Sequence, residues 1–175
     1  MNLHSINQLL HMQLPGASLS LQELPACKPL VLYLLQGGFD DSQLDQATIE
    51  RISDDPPYWI FCWASGHALA GKILRGEIDV RKKTVVDFGA GSGVVAIAAA
   101  LAGAEVMTCE IDPVGNHLIA LNAAANHVQI RQFSSLNDIP QPIDLILAAD
   151  VLYEKKNLQF LDLFLRHAPD VIVAD

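Results

Sequence analysis

The run Asp87-Phe88-Gly89-Ala90-Gly91-Ser92-Gly93 sets an acid and three alternate glycines between an apolar stretch, Thr84-Val85-Val86, and an alanine-rich stretch from Val94 to Ala102. Glycine reaches backbone conformations closed to other residues, and it lets main-chain N–H groups come close to a bound molecule. The run therefore reads as a ligand-binding turn between a strand and a helix. A dinucleotide turn needs glycine at the first, third and sixth positions. Here the fifth position is Gly93 and the sixth is Val94, giving G-x-G-x-G. Asp87 also opposes a pyrophosphate, because like charges would meet, and it suits a ligand carrying positive charge. Both features disfavour an NAD-linked protein. A second acid, Glu110, ends the next apolar run, Glu105-Val106-Met107-Thr108-Cys109. It falls about 20 residues beyond the turn, where nucleotide-binding α/β folds place a carboxylate for ribose hydroxyls. Asp112 is its near rival.

These residues need elements to hold them. Met1–Leu14 has helical apolar spacing and is closed by Pro15-Gly16. From Leu19 to Lys28 the chain alternates without long periodicity. Pro29–Leu35 reads as a strand stopped by Gly37-Gly38, and Ser42 as the cap of a short helix through Arg51. A helix beginning at Ser65 or Gly66 and ending near Arg75-Gly76 has Ala68, Leu69 and Ile73 inward. Pro113 opens a helix through Leu118, Leu121 and Ala125, with Asn122 and Asn126 on its flank, structural or exposed. Val128–Phe133 is a strand, and Ile143–Asp150 is an apolar strand buried on both faces. Glu154–His167 is an amphipathic helix with Leu158, Leu161, Phe164 and Leu165 inward, and Asp170–Ala174 is the last strand. Strands alternating with helices imply a doubly wound, mainly parallel α/β sheet with its ligand across the carboxyl ends of the strands.

Asp55-Pro56-Pro57-Tyr58 matches the D-P-P-Y signature of amino-methyltransferases that act on a flipped adenine in DNA. The residues before it, Ile49 to Asp54, do not form the apolar strand that signature follows, and the glycine turn comes too soon after it. The DNA reading is disfavoured.

Asp-Phe-Gly-Ala-Gly-Ser-Gly after a Val-Val strand resembles the first motif of class I S-adenosylmethionine-dependent methyltransferases. Trp63-Ala64-Ser65-Gly66, after Tyr58-Trp59, resembles the Trp-(Pro/Ala)-Gly-Gly lead-in of the group that methylates lysine on the electron-transfer flavoprotein β subunit, with its nicotinamide N-methyase-like relatives. Serine stands here for one glycine. Asp150-Val151-Leu152-Tyr153 resembles the acid-x-x-Tyr motif of the same group. The resemblance implies a Rossmann-like topology and S-adenosyl-L-methionine as cofactor. It implies cofactor contacts from Asp87, Gly89, Gly91, Gly93, Glu110, Ser134, Trp63 and Asp150, with Ser134 in the loop where such enzymes contact adenine. It makes Asp150, Tyr153 and Trp63 the residues around a reacting amine. It covers Pro57 to Asp175 and implies two further C-terminal strands that this chain does not show. The edge of the last strand is then expected to be covered by the N-terminal strand or by a second copy of the chain.

At 175 residues the chain is one domain by length, with 1–56 as lead-in and 57–175 as cofactor-binding core. The formal charge of −9 disfavours nucleic acid, which needs Lys/Arg stripes, and suits a basic protein or peptide. No apolar run reaches membrane-spanning length, and no membrane role is expected. Cys27, Cys62 and Cys109 lie far apart, with no close Cys/His pairing, which points to reduced thiols in the cytoplasm and to no metal site. The expected activity is methylation of a protein lysine. A small amine such as a pyridine is the alternative substrate, and a cofactor-binding subunit without activity is the non-enzyme alternative. Gly91→Val is expected to abolish cofactor binding, and Asp150→Asn to keep it while lowering methyl transfer.

Overall fold

A computed structural model describes residues 1–40, 42 and 44–175. Helices α1 (Leu3–Gln13) and α2 (Gln46–Asp54) flank a hairpin of β1 (Leu19–Glu23) and β2 (Val31–Leu35). The rest alternates: α3 (Ala64–Leu74), β3 (Thr84–Phe88), α4 (Val94–Leu101), β4 (Glu105–Cys109), α5 (Pro113–Ala125), β5 (Arg131–Phe133), β6 (Leu145–Ala149), α6 (Gln159–His167) and β7 (Asp170–Ala174). The five later strands form one parallel sheet in the order β5-β4-β3-β6-β7. The order reverses between β3 and β6, and it is at such a switch point that open α/β sheets hold ligands.

Alternation along the strands assigns each residue to a face. Val85, Val106, Leu145 and Leu147 pack with Leu69, Ile73 and Ile97 of α3 and α4. Val86, Met107, Ile146 and Ala148 pack on the other face with Phe164 of α6. The alanines of α4 let it lie close to the sheet, and Ala96, Ile97, Ala98 and Ala99 are fully buried. Burying each such Ile or Leu contributes about 1.5–3 kcal/mol.

The N-terminal hairpin is tied to the core through α5. The Asn122 Oδ1 accepts from the Tyr33 amide at 2.7 Å, and the Asn126 side chain both accepts from the Val31 amide at 3.0 Å and donates to its carbonyl at 2.6 Å. Side chains four apart on a helix rise about 6 Å, close to the span of two strand residues, so the two amides match the edge of β2. Asn122 also donates to the Ser92 carbonyl at 2.9 Å, joining the hairpin to the glycine turn. Both asparagines are structural, and Asn122 is fully buried.

Several expected details differ. Leu19–Glu23 is a strand, although the sequence around it shows no long periodicity. The cap of α2 is Asp45, whose carboxylate accepts from the Thr48 amide at 2.8 Å, and not Ser42. Gln43, inside that expected helix, lies outside the described residues. Ala68 is exposed and Ala70 is buried in its place. Leu158, Leu161 and Leu165 are exposed at 52%, 37% and 68%, so of the four expected inward residues of the last helix only Phe164 is buried. Residues Lys155–Leu158 form a 3₁₀ turn, which winds more tightly than an α-helix and turns the following residues out of the expected phase. Phe160 and Leu163 accompany Phe164 inward. Pro29–Leu35 does not cover β7: β2 pairs with β1 against α5, and β7 is an edge of the large sheet.

Candidate functional site

The cleft opens at the switch point and is lined by Trp63, Gly66, Asp87, Gly89, Ala90, Gly91, Ser92, Val94, Val95, Ala149 and Asp150. Its floor is the glycine turn. Gly89, Gly91 and Gly93 all have positive φ, at +68°, +53° and +81°. Only Gly89 is also confined, since a Cβ there would meet Val151 Cγ1 at 2.6 Å. At Gly91 a Cβ would meet nothing nearer than the Gly89 carbonyl at 3.9 Å, so its open side faces the cleft. The Glu110 carboxylate closes the turn from β4, accepting from the Gly91 amide at 2.8 Å and the Asp112 amide at 2.9 Å. Asp112 caps α5 through one carboxylate oxygen, Oδ1, which accepts from the amides of Val114 and Gly115.

Two helices begin at the cleft without a side-chain cap of their own: α4 after Gly93 and α3 after Trp63. Each receives one from a neighbouring strand end. Asp87 Oδ2 accepts from the Ala96 amide at 2.9 Å, and Asp150 Oδ2 from the Gly66 amide at 2.9 Å. Gly66 is closely packed there: a Cβ would stand 3.1 Å from Val94 Cγ1, so that side chain would have to give by a few tenths of an ångström. It is the glycine that the Trp63-Ala64-Ser65-Gly66 run retains. Asp150 has a positive φ of 55°, a conformation that Asp and Asn tolerate better than other side-chain-bearing residues.

Burial pushes the Asp87 carboxyl up to about 7; the hydrogen bond from Ala96 opposes this and the Glu110 charge adds to it. Burial also pushes the Cys62 thiol up to about 12 and that of Cys109 up to about 11, so neither is a thiolate near neutral pH. Tyr153 is likewise raised to about 12, by burial first, then by a hydrogen bond and charge from Tyr58 and by the charges of Glu154 and Asp175. Its phenol is a donor at neutral pH and not a base.

The structure brings Asp87, Gly89, Gly91, Trp63 and Asp150 together, with Glu110 bonded to the turn and Gly93 capping α4. Tyr153 reaches the mouth through Tyr58, with ring centroids 5.9 Å apart, and Tyr58 stands 5.9 Å from Trp63. Ser134 is exposed after β5, beside the end of β4, and is not a wall of the cleft. Sequence reasoning does not single out Ser92 or Phe61, and it takes Tyr58 as part of the Tyr58-Trp59 lead-in without giving it a role in the site. Ser92 is 3% exposed and stands inside the G-x-G-x-G run, which is the signal for it. The two tryptophans divide: Trp59 is core at 2% exposure, whereas Trp63 is 42% exposed on the cleft.

Residues 30–171 match the family model described as lysine methyltransferase. The chain belongs to the lysine methyltransferase family. It is 33% identical over 128 residues to the electron transfer flavoprotein beta subunit lysine methyltransferase of Mus musculus, covering 68% of this chain and 50% of that protein. It thus spans about half the length of the curated relatives it matches. Among solved structures, the ribosomal protein L11 methylase of Lactobacillus delbrueckii subsp. bulgaricus aligns at a TM-score of 0.55 with 28% identity, covering 65% of this chain and 61% of that one. Magnesium protoporphyrin IX methyltransferase of Synechocystis PCC 6803, with bound S-adenosylhomocysteine, shares the fold at a TM-score of 0.54 and 17% identity, over 77% and 62% of the two chains.

The cofactor that goes with this family is S-adenosylmethionine. The residues present fit it: the side of Gly91 that faces the cleft is unfilled, so a ligand can approach the backbone of the turn closely, and carboxylates stand at the ends of β3 and β4.

Proposed function

We propose that this domain is an S-adenosylmethionine-dependent N-methyltransferase that methylates a lysine side chain of a protein. The observation that carries the reading is the meeting of three strand-end acids, Asp87, Glu110 and Asp150, with the glycine turn and the half-exposed Trp63 at one switch point. Gly89, Gly91 and Gly93 would hold the cofactor against the turn, with Glu110 toward its ribose, Asp87 at the start of α4, and Ser134 near its base. When bound, the cofactor supplies an electrophilic methyl group on a sulfonium.

The chain's own task is the amine. A lysine ammonium has a pKa of about 10.4 and attacks only after losing its proton. Asp150 has one oxygen committed to Gly66, while its Oδ1 has no protein partner among the described residues. That oxygen would hold the incoming ammonium and orient it as the proton leaves, a step in which an acid–base group contributes about 10²–10⁴-fold. The rings of Trp63 and Tyr153 would favour the cation and keep water away. The acidic balance of the chain, −9, favours a basic protein surface over nucleic acid as partner. Three free thiols support a reducing, cytoplasmic setting. Pairing of two copies along the β7 edge belongs to the same proposal; static light scattering would read it as a doubled mass.

The test is incubation with methyl-labelled S-adenosylmethionine and cell lysate. Label in a protein band, recovered as methyllysine after hydrolysis, supports the reading. Label confined to small molecules replaces it with methylation of a small amine.

A further inference from the structure

Four aromatic side chains stand in a row that includes Trp63 on the wall of the cleft. Phe61 and Trp63 have centroids 5.2 Å apart, Trp63 and Tyr58 5.9 Å, and Tyr58 and Tyr153 5.9 Å. They are 40%, 42%, 43% and 59% exposed in the order Phe61, Trp63, Tyr58, Tyr153. A contiguous apolar patch of this kind on a protein surface marks a binding surface more often than it marks chance.

The row is built, and not merely left over. The 3₁₀ turn Tyr58–Ile60 is anchored by Trp59 and Ile60, at 2% and 1% exposure, so Tyr58 is carried outward on a fixed base. The Trp63 Nε1 donates to the Tyr58 carbonyl at 2.9 Å, which uses up the only polar group of the indole and fixes its ring. Acids border the row. Asp150 lines the cleft beside Trp63, Glu154 follows Tyr153 in the chain, and Asp175 accepts from the Leu152 amide at 2.8 Å. The Lys156 ammonium of the same segment is tied to Glu154 at 2.8 Å. Aromatic faces bordered by carboxylates select alkylammonium groups over neutral groups of equal size.

We propose that Phe61, Trp63, Tyr58 and Tyr153 together form a site for the alkylammonium end of the substrate side chain, with Tyr58, the ring that bridges Trp63 to Tyr153, setting its preference for positive charge. The proposal rests on the reading that a lysine enters past Trp63, and it adds Tyr58 and Phe61 to the residues that recognise it. Tyr58 acts on binding and selectivity, since Asp150 and the glycine turn stand beyond it.

The experiment compares two probe peptides, Gly-Gly-Xaa-Gly-Gly. In one, Xaa is Nε-trimethyllysine; in the other it is the neutral isostere with carbon in place of that nitrogen. Binding is followed by the fluorescence of Trp63, since the other tryptophan is buried, with and without S-adenosylhomocysteine. The charged peptide should bind roughly five- to thirtyfold more tightly than the neutral one. Tyr58→Phe should keep that ratio, and Tyr58→Leu should bring it toward one without loss of fold, because the ring is half exposed. Equal binding of the two peptides, no binding of either, or an unchanged ratio in Tyr58→Leu would overturn the proposal. Loss of the ratio while label still enters lysine refutes the aromatic site alone. A retained ratio with no label in protein refutes the methyl-transfer reading alone.

Discussion

Asp150 and Gly66, 84 positions apart, are joined by one hydrogen bond of 2.9 Å from the Gly66 amide to Asp150 Oδ2. Gly66 is the third residue of α3, and its amide is one of the helix-end donors that need an outside partner. Asp87 does the same for Ala96, the third residue of α4, also at 2.9 Å. Two adjacent strands thus each end in a carboxylate that caps a helix opening on the cleft. One carboxylate on each strand end fixes the wall of the site.

Gly89 and Gly91 should respond differently to alanine. At Gly89 the new Cβ meets Val151 at 2.6 Å and the backbone is strained, so Gly89→Ala should lower the thermal midpoint markedly. At Gly91 the Cβ finds open space, and the cost to folding is the left-handed conformation alone, about 1–2 kcal/mol. Gly91→Ala should therefore stay folded at room temperature yet lose cofactor affinity, and Gly91→Val should abolish it. Calorimetric titration alongside a melting curve separates the two; unchanged affinity in Gly91→Ala would show that its open side is not the cofactor's.

Glu110→Ala should weaken binding of S-adenosylmethionine by about 1.5–3 kcal/mol, the range for a hydrogen bond to a charged group. Part of that loss comes from the turn itself, because the Gly91 amide loses its 2.8 Å partner. Glu110→Gln keeps an acceptor and should recover some of it. Titration calorimetry on the three proteins gives the order expected: wild type, then Gln, then Ala.

Asp87 predicts a pH effect on stability. Its carboxyl is raised to about 7 in the folded chain from an ordinary value of 3.8, so the folded state holds the proton more tightly than the unfolded state. The contribution is fully present below pH 3.8 and is lost as pH rises through about 7. Other acids, Glu77 and Asp79 among them, are lowered by arginine partners and act in the opposite sense, so the comparison must be with Asp87→Asn. Relative to that variant, which can still accept from Ala96, the wild type should lose on the order of a few kcal/mol between pH 4 and pH 7. Parallel urea titrations across that window that ran at constant separation would refute the shift.

Much of this was legible in residue order because parallel strands buried on both faces read as apolar runs. The runs at Val85, Val106 and Leu145 are such strands, and the glycine turn stands out after the first of them. The phase of α6 was not legible, since the 3₁₀ turn at Lys155–Leu158 leaves no mark in apolar spacing. Nor was β1, whose mixed residues gain their strand form from pairing with β2. In the site, Asp87, Glu110 and Asp150 were visible as acids at strand ends. Their bonds to Ala96, Gly91 and Gly66 were not, because tertiary contacts of that span leave no periodicity. Tyr58 was hidden for a different reason: its importance lies in two ring neighbours, one 5 residues on and the other across the cleft.

In the proposed division of labour the glycine turn and Glu110 hold the cofactor while Asp150 handles the amine. Asp150→Asn tests it most directly. Asparagine tolerates the φ of 55° and can still accept from Gly66, so the cleft wall stays in place while the charge is removed. Cofactor affinity by titration calorimetry should then remain near normal, and single-turnover methyl transfer should fall by about 10²–10⁴. Affinity and transfer falling in equal proportion would contradict that division and make Asp150 part of the cofactor pocket.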